Sequence, residues 1–248
     1  MFKIFILSLF SFFHFACAYA QSLQMMIVGD TTSNLTSQSL KDVEFMQKRG
    51  KALADELNIP CDFSIFIGKH ATSQNILSYL DSNPFDTKDI VIFYFTGHGF
   101  RTSEKFTKWP NLLFSYDNQY LPLDDIVNRL YKLNPQFSLV IADCCNNYLD
   151  RKPHFVNPAL FNYSRSLTHS FHPNAADLFK YSRGLLVISG AEPGGYSWAN
   201  DEGGILTAAF FDALGFRSNS TVNWDNVLKH VHRHTWHIQK VQMAHYSH

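Results

Sequence analysis

The chain has 248 residues, 46% of them hydrophobic, and its 21 basic side chains balance its 21 acidic ones. This length and apolar content suit one globular domain rather than a disordered or fibrous chain. A formal net charge of zero gives no electrostatic basis for binding nucleic acid or an anionic membrane, so we expect neither as a partner.

The first twenty residues have the pattern of an export signal. Lys3 is their only charged residue, residues 4–15 are mostly apolar, and Ala18-Tyr19-Ala20 has the small-x-small form of a cleavage site. The apolar stretch is too short to span a bilayer comfortably. We predict a secretory signal peptide at residues 1–20, one mature domain at residues 21–248, no membrane attachment after cleavage, and a secreted or periplasmic location.

Strands and helices alternate along the rest of the chain. In chain order, apolar runs and periodicity predict a strand over 23–28, a helix over 40–57, a strand over 62–67, a helix over 72–80, strands over 89–95 and 137–142 with a helix over 124–133 between them, a strand over 184–189, and helices over 205–214 and 224–241. Residues 146–181 have no clear pattern and predict a long loop. Strands that are apolar along their whole length are typical of a buried parallel sheet. The predicted fold class is therefore α/β, with a mostly parallel central sheet flanked by helices on both faces.

Two of the predicted strands end at residues that can do chemistry. His98 follows the strand over 89–95, and Cys145 follows the strand over 137–142. In such folds the ligand site lies beyond the carboxyl ends of the strands, so we expect both side chains at one edge of the sheet. A thiolate is the reactive form of cysteine, and a neighbouring imidazole can generate it. Alternation along the strand turns Cys144 toward the core, which leaves Cys145 as the candidate nucleophile.

The residues beside this pair also fit an acyl-transfer site. Backbone N–H groups of Gly99 and Cys145 are candidates for an oxyanion hole. Asp143 is interpreted as a pocket residue, because an acid facing the nucleophile would disfavour the thiolate. No third member of a catalytic triad can be assigned. Cys61 is expected to be inert, and three cysteines after signal removal leave at least one free thiol.

These motifs resemble a known family. FYFTGHG, then IADCC with Cys145 lying 47 positions after His98, then GLLVISGAEPGGYSW and GGILTAAFFDAL are similar to segments of the caspase and metacaspase group of cysteine peptidases, in the same order. The resemblance covers roughly residues 25–214. It implies a caspase-haemoglobinase fold, a dyad of His98 and Cys145, Gly99 at the oxyanion hole, and hydrolysis of a peptide or protein substrate through an acyl-enzyme.

The resemblance also implies substrate-binding residues. Asp143 matches the aspartate that helps metacaspases bind a basic P1 side chain, and Ser189 and Glu192 belong to the stretch expected to complete that pocket. We therefore predict a preference for Arg or Lys. However, Asn146-Asn147-Tyr148 follow the cysteine where metacaspases have His-Ser-Gly and caspases have Arg-Gly. Two alternatives stay open: an inactive, peptide-binding member of the group, and a secreted peptidase of the legumain type.

Metal binding is a separate hypothesis. His230, His234 and His237 follow one another at helical spacing, and imidazoles in such a row can bind zinc or copper. We favour a histidine-rich surface helix, because no cysteine or carboxylate joins the row. The sequence establishes no cofactor. Calcium, which activates metacaspases, needs clustered oxygen ligands, and the acids available for it are Asp117, Asp124, Asp125, Asp201 and Glu202.

Overall fold

A computed structural model describes residues 21–83, 85–149, 174–215 and 222–247. The predicted signal peptide and residues 150–173 of the predicted loop lie outside these ranges. Within them, every helix is too short or too polar to cross a lipid bilayer.

The elements follow one another in the alternating order that the sequence predicts. They are β1 (Leu23–Gly29), α1 (Thr36–Leu57), β2 (Cys61–Ile67), α2 (Ser73–Ser82), β3 (Ile90–Thr96), β4 (Gly99–Phe100), β5 (Asn111–Phe114), β6 (Gln119–Pro122), α3 (Leu123–Leu133), β7 (Phe137–Asp143), α4 (Ala175–Tyr181), β8 (Gly184–Ser189), β9 (Ala199–Asn200), β10 (Gly203–Gly204), α5 (Ile205–Gly215), α6 (Trp224–Thr235) and β11 (Gln242–Tyr246).

The central sheet has six strands in the order β11-β8-β7-β3-β1-β2. Five of them run parallel, and β11 is antiparallel to β8 at one edge. The two central strands β3 and β7 are buried at every position, because helices cover both faces. One core lies between the sheet and helices α1, α4, α5 and α6, and a second lies between the sheet, α2, α3 and the hairpin β5–β6. The predicted fold class is confirmed.

The structure differs from the prediction in five places, one of which is the two-stranded sheet β9–β10, whose strands have only two residues each. Helix α1 begins at Thr36, four residues earlier than predicted, and α4 occupies the end of the predicted loop. The small antiparallel sheet β4–β5–β6 was not predicted, because its strands have only two to four residues. The predicted helix over 224–241 is wrong at its end: α6 stops at Thr235, and the chain turns and returns as β11, which pairs with the edge of β8.

Candidate active site

The register of the two central strands brings His98 and Cys145 to the same edge of the sheet. Thr96 at the end of β3 is paired with Asp143 at the end of β7, and the two strands are parallel. His98 and Cys145 each lie two residues beyond this pair. Both residues are partly exposed. The positions of the two residues agree with the prediction that both lie at one edge of the sheet, and the structure adds that their strands are neighbours.

Gly99 holds the two segments in close contact. A Cβ atom at this position would lie 2.4 Å from the carbonyl oxygen of Cys145 and 2.6 Å from Sγ of Cys144. Only a residue without a side chain can sit there without moving the neighbouring backbone. The glycine thus keeps the turn after His98 packed directly against the segment that carries Cys145.

The imidazole of His98 has a partner that the motifs did not reveal. Its Nε2 lies 2.7 Å from Oδ1 of Asn34, in the loop between β1 and α1. An amide oxygen can only accept, so Nε2 carries the hydrogen and Nδ1 is the basic nitrogen of the neutral ring. The start of this loop is fixed to the end of β3, since the N–H of Asp30 donates to the Thr96 carbonyl at 3.0 Å. Asn34 follows the end of a third parallel strand, which is the signal that could have found it.

The Cys145 thiol has a hydrogen-bond acceptor within reach. It donates a hydrogen bond to the carbonyl oxygen of Ser197 at 3.4 Å. Burial raises the pKa of Cys145 to about 11 and the Asp143 carboxyl adds to that rise, while the Ser197 backbone opposes it in part. Cys144 points into the core, as the alternation predicts, and burial raises the pKa of its thiol as well. All three cysteines of the described chain, including half-buried Cys61, are free thiols.

Asp143 is buried beneath the nucleophile and is already hydrogen-bonded. Its Oδ2 accepts from the N–H and the hydroxyl of Thr207 at 2.9 and 2.7 Å, and its Oδ1 accepts from the Ser197 hydroxyl at 2.8 Å. Burial and the nearby carboxyl of Asp42 raise the pKa of Asp143 to about 6. The carboxyl therefore caps the first turn of α5 and links it to the Ser197 segment.

Asn146, the residue after the proposed nucleophile, has a structural role in this protein. The side chain is fully buried, and its Nδ2 donates to the carbonyls of Lys108 at 2.8 Å and Ala191 at 3.3 Å. Its backbone carbonyl accepts from the Gly194 N–H at 2.8 Å, and its N–H donates to the Gly195 carbonyl at 3.1 Å. This residue fixes the segment after Cys145 to the loop after β8.

Comparison with known proteins agrees with this arrangement. A family model described as the caspase domain matches residues 34–247, which is most of the chain. The chain belongs to the caspase-domain family. Among solved structures, protein GSU0716 of Geobacter sulfurreducens has the same fold at 15% identity and a TM-score of 0.56, with 92% of this chain and 94% of that chain covered. No curated protein matches the sequence.

The other two predicted pocket residues of this caspase domain lie in different surroundings. Ser189 is fully buried at the end of β8, and its hydroxyl has no hydrogen-bond partner among the described residues. Glu192 forms an ion pair with Lys240 at 3.1 Å. It lines an open groove that begins next to the Ser197 segment and includes Tyr196, Trp198, Trp236, His237 and Gln239.

The predicted histidine row of the caspase domain is only partly present. His230 and His234 lie on α6, but His237 falls beyond its end and accepts a hydrogen bond from the indole of Trp236 at 2.8 Å. The interpretation that no carboxylate joins the row is wrong, since Asp212 from α5 lies 2.9 Å from His230. Of the acids considered for calcium, Asp124 pairs with Lys105 at 2.6 Å. The candidate metal cluster of the described chain is Asp212, His230 and His234.

Proposed function

We propose that this caspase-domain protein is a cysteine endopeptidase in which Cys145 is the nucleophile and His98 the general base. The observation that carries the proposal is the pairing of Thr96 with Asp143, which aligns the two residues at adjacent strand ends. The close packing of Gly99 against the Cys145 backbone supports the same assignment. The family match favours it over a legumain-type peptidase.

The mechanism follows from the hydrogen bonds of the two groups. Asn34 keeps the hydrogen on Nε2 of His98, so Nδ1 takes the proton from the Cys145 thiol as sulfur attacks the substrate carbonyl carbon. Backbone N–H groups of Gly99 and Cys145 are assigned to the resulting oxyanion. The imidazolium then protonates the leaving amine, the C–N bond breaks, and a thioester remains. Water, deprotonated by His98, hydrolyses the thioester and returns the thiol.

The raised pKa of Cys145 determines when the proton moves. With a pKa of about 11, the thiol stays protonated at neutral pH in the absence of substrate. We therefore propose that proton transfer to His98 accompanies attack by the sulfur. Substrate binding also has to break the hydrogen bond from the Cys145 thiol to the Ser197 carbonyl, because the proton in that bond is the one that is transferred to His98.

We further propose that the peptidase cleaves after Arg or Lys. Two buried carboxyls, Asp143 and Asp42, lie close enough that each disfavours ionisation of the other. Among the described residues, Oδ1 of Asp143 accepts a single hydrogen bond, from Ser197, and a carboxylate oxygen can accept two. A cationic P1 side chain reaching this oxygen would compensate the buried negative charge. Asp143→Asn should therefore lower kcat/KM for an Arg substrate by about 10- to 100-fold, the value of one charge-assisted hydrogen bond.

The dyad is tested by covalent labelling. The full chain is treated with acyloxymethyl ketone peptides carrying Arg, Lys, Asp or Asn at P1, and the labelled residue is located by peptide mass spectrometry. We expect labelling of Cys145, fastest with Arg, and none in Cys145→Ala or His98→Ala. Cys61→Ala is the matched control, because that thiol is half-buried on the edge strand β2 and should not affect the reaction. Failure of every probe to reach Cys145 would refute the peptidase proposal.

One observation favours a second candidate, a peptide-binding module without turnover. The Cys145 thiol is half-buried and hydrogen-bonded to the Ser197 carbonyl, and both features stabilise its unreactive, protonated form. Binding of the same peptides, as amides without a reactive group, is measured by fluorescence anisotropy in wild type. Tight binding without any hydrolysis or labelling would support this second function instead.

A further inference from the structure

Three potential metal ligands converge where helices α5 and α6 pack together. Asp212 lies on α5, and His230 and His234 lie one turn apart on α6. One ligand atom of each residue lies within 4.8 Å of the other two. The two imidazole rings are stacked with centroids 3.9 Å apart, and Nε2 of His230 lies 2.9 Å from Oδ2 of Asp212.

The hydrogen bond of His234 prepares it for coordination. Its Nδ1 lies 2.8 Å from the carbonyl oxygen of His230. A carbonyl oxygen only accepts, so Nδ1 carries the hydrogen and Nε2 is the basic nitrogen of the neutral ring. A metal-bound histidine almost always donates its other ring N–H to a carbonyl or carboxylate in this way.

The burial of the three residues suits a site that closes on an ion. His230 is buried and provides a fixed ligand, whereas Asp212 and His234 are exposed, so an ion can reach the three residues from solvent. Zinc lies about 2.0–2.2 Å from nitrogen and oxygen ligands, which places neighbouring ligand atoms roughly 3.3 Å apart. Nε2 of His230 and Oδ2 of Asp212, at 2.9 Å, are already close to this spacing. Zinc would replace the hydrogen that Nε2 now shares with the carboxylate, so this proton is released to solvent when the ion binds.

We propose that Asp212, His230 and His234 form a Zn²⁺ site, with water as the fourth ligand. Two imidazoles and one carboxylate favour zinc over calcium or magnesium, which prefer oxygen ligands. The bound ion would tie α5 to α6. Both helices are connected to residues next to the Cys145 thiol. Thr207 on α5 donates to Asp143, and Gln239, four residues beyond α6, donates to the Ser197 hydroxyl at 3.1 Å. Zinc would therefore stabilise the elements that support the nucleophile.

The test uses Cys145→Ala as the parent, so that zinc on the nucleophile cannot mimic the site. Metal is removed with a chelator, and Zn²⁺ is titrated by calorimetry while Co²⁺ is titrated by visible absorption. We expect one equivalent of Zn²⁺ and the spectrum of tetrahedral cobalt. Zinc at 100 times its Kd should raise the ratio of folded to unfolded protein about 100-fold.

The variants Asp212→Asn and His234→Gln should each weaken zinc binding by more than ~10-fold. Both residues are exposed, so neither change should prevent folding. His232→Gln is the matched control, because His232 is exposed on the same helix outside the cluster. Unchanged zinc affinity in the two ligand variants, or an equal loss in His232→Gln, overturns the site. Neither outcome bears on the peptidase proposal, which the labelling experiment decides separately.

Discussion

Adding one methyl group at Gly99 should disable the site without unfolding the protein. In Gly99→Ala the new Cβ would lie 2.4 Å from the Cys145 carbonyl oxygen, whereas ordinary contact begins at 3.4 Å. The backbone segments carrying His98 and Cys145 must then separate by about 1 Å, because the carbonyl oxygen belongs to the backbone and cannot rotate away as a side chain could. A misplacement of that size can lower the rate about 100-fold, which is about 2.7 kcal/mol of transition-state stabilisation.

The assay is kcat/KM on a fluorogenic Arg peptide, with the unfolding free energy measured in urea. The strained packing should cost about 1–3 kcal/mol of stability. Gly184→Ala is the matched control: its Cβ would meet the Tyr246 carbonyl at 2.3 Å, and its φ is +88°, but it lies at the opposite end of the sheet. We expect the control to lose at least as much stability and to keep its activity while folded. Wild-type kcat/KM in Gly99→Ala, or an equal loss of kcat/KM in folded Gly184→Ala, would refute the reasoning.

Three further predictions concern residues around the dyad. Asn34→Ala removes the acceptor of His98 and should lower kcat about 3- to 10-fold, the value of one hydrogen bond, with KM unchanged; a rise in KM alone would argue against a positioning role. Burial raises the pKa of Asp143 above its value in the unfolded chain. The free energy of unfolding that this shift contributes, up to ~3 kcal/mol, is therefore fully present below about pH 4 and is lost as the pH rises through about 6. Urea unfolding from pH 4 to 7 should therefore show a flatter profile for Asp143→Asn, and identical profiles would contradict the assignment. Asn146→Ala removes the donor to the part-buried carbonyl of Lys108 and to the buried carbonyl of Ala191, and it should cost about 2–4 kcal/mol of unfolding free energy. Asn147 is half-buried, so Asn147→Ala should cost less than about 1 kcal/mol.

The sheet could be predicted because the sequences of its central strands are compatible only with a strand that is buried on both faces. Residues 89–95 and 137–142 are apolar on both faces, and each predicted strand is within one residue of the observed one. The strand ends then placed His98 and Cys145 by topology alone. The alternation of side chains along the strand predicted that Cys144 points into the core, and Cys144 is buried.

The missed features depend on contacts between distant segments. Asn34 follows the end of β1, but only its hydrogen bond to His98 shows that it belongs to the site. Asp212 joins the histidines because α5 packs against α6, which no spacing within α6 reveals. The predicted end of α6 was wrong because the amphipathic pattern continues past Thr235. The conformation of residues 242–246 is decided instead by the pairing of β11 with β8.

The hydrogen bonds of Gln239 have a consequence for the timing of folding. Its side chain accepts from the Trp198 N–H at 2.9 Å and donates to Ser197, which in turn binds both Asp143 and the Cys145 thiol. During synthesis the residues around Cys145 leave the ribosome well before Gln239 does. A nascent chain therefore has the thiol and the imidazole but lacks the last support of the Ser197 segment. Under the proposed peptidase function, activity should therefore appear only after Gln239 has left the ribosome and has bound the Ser197 segment.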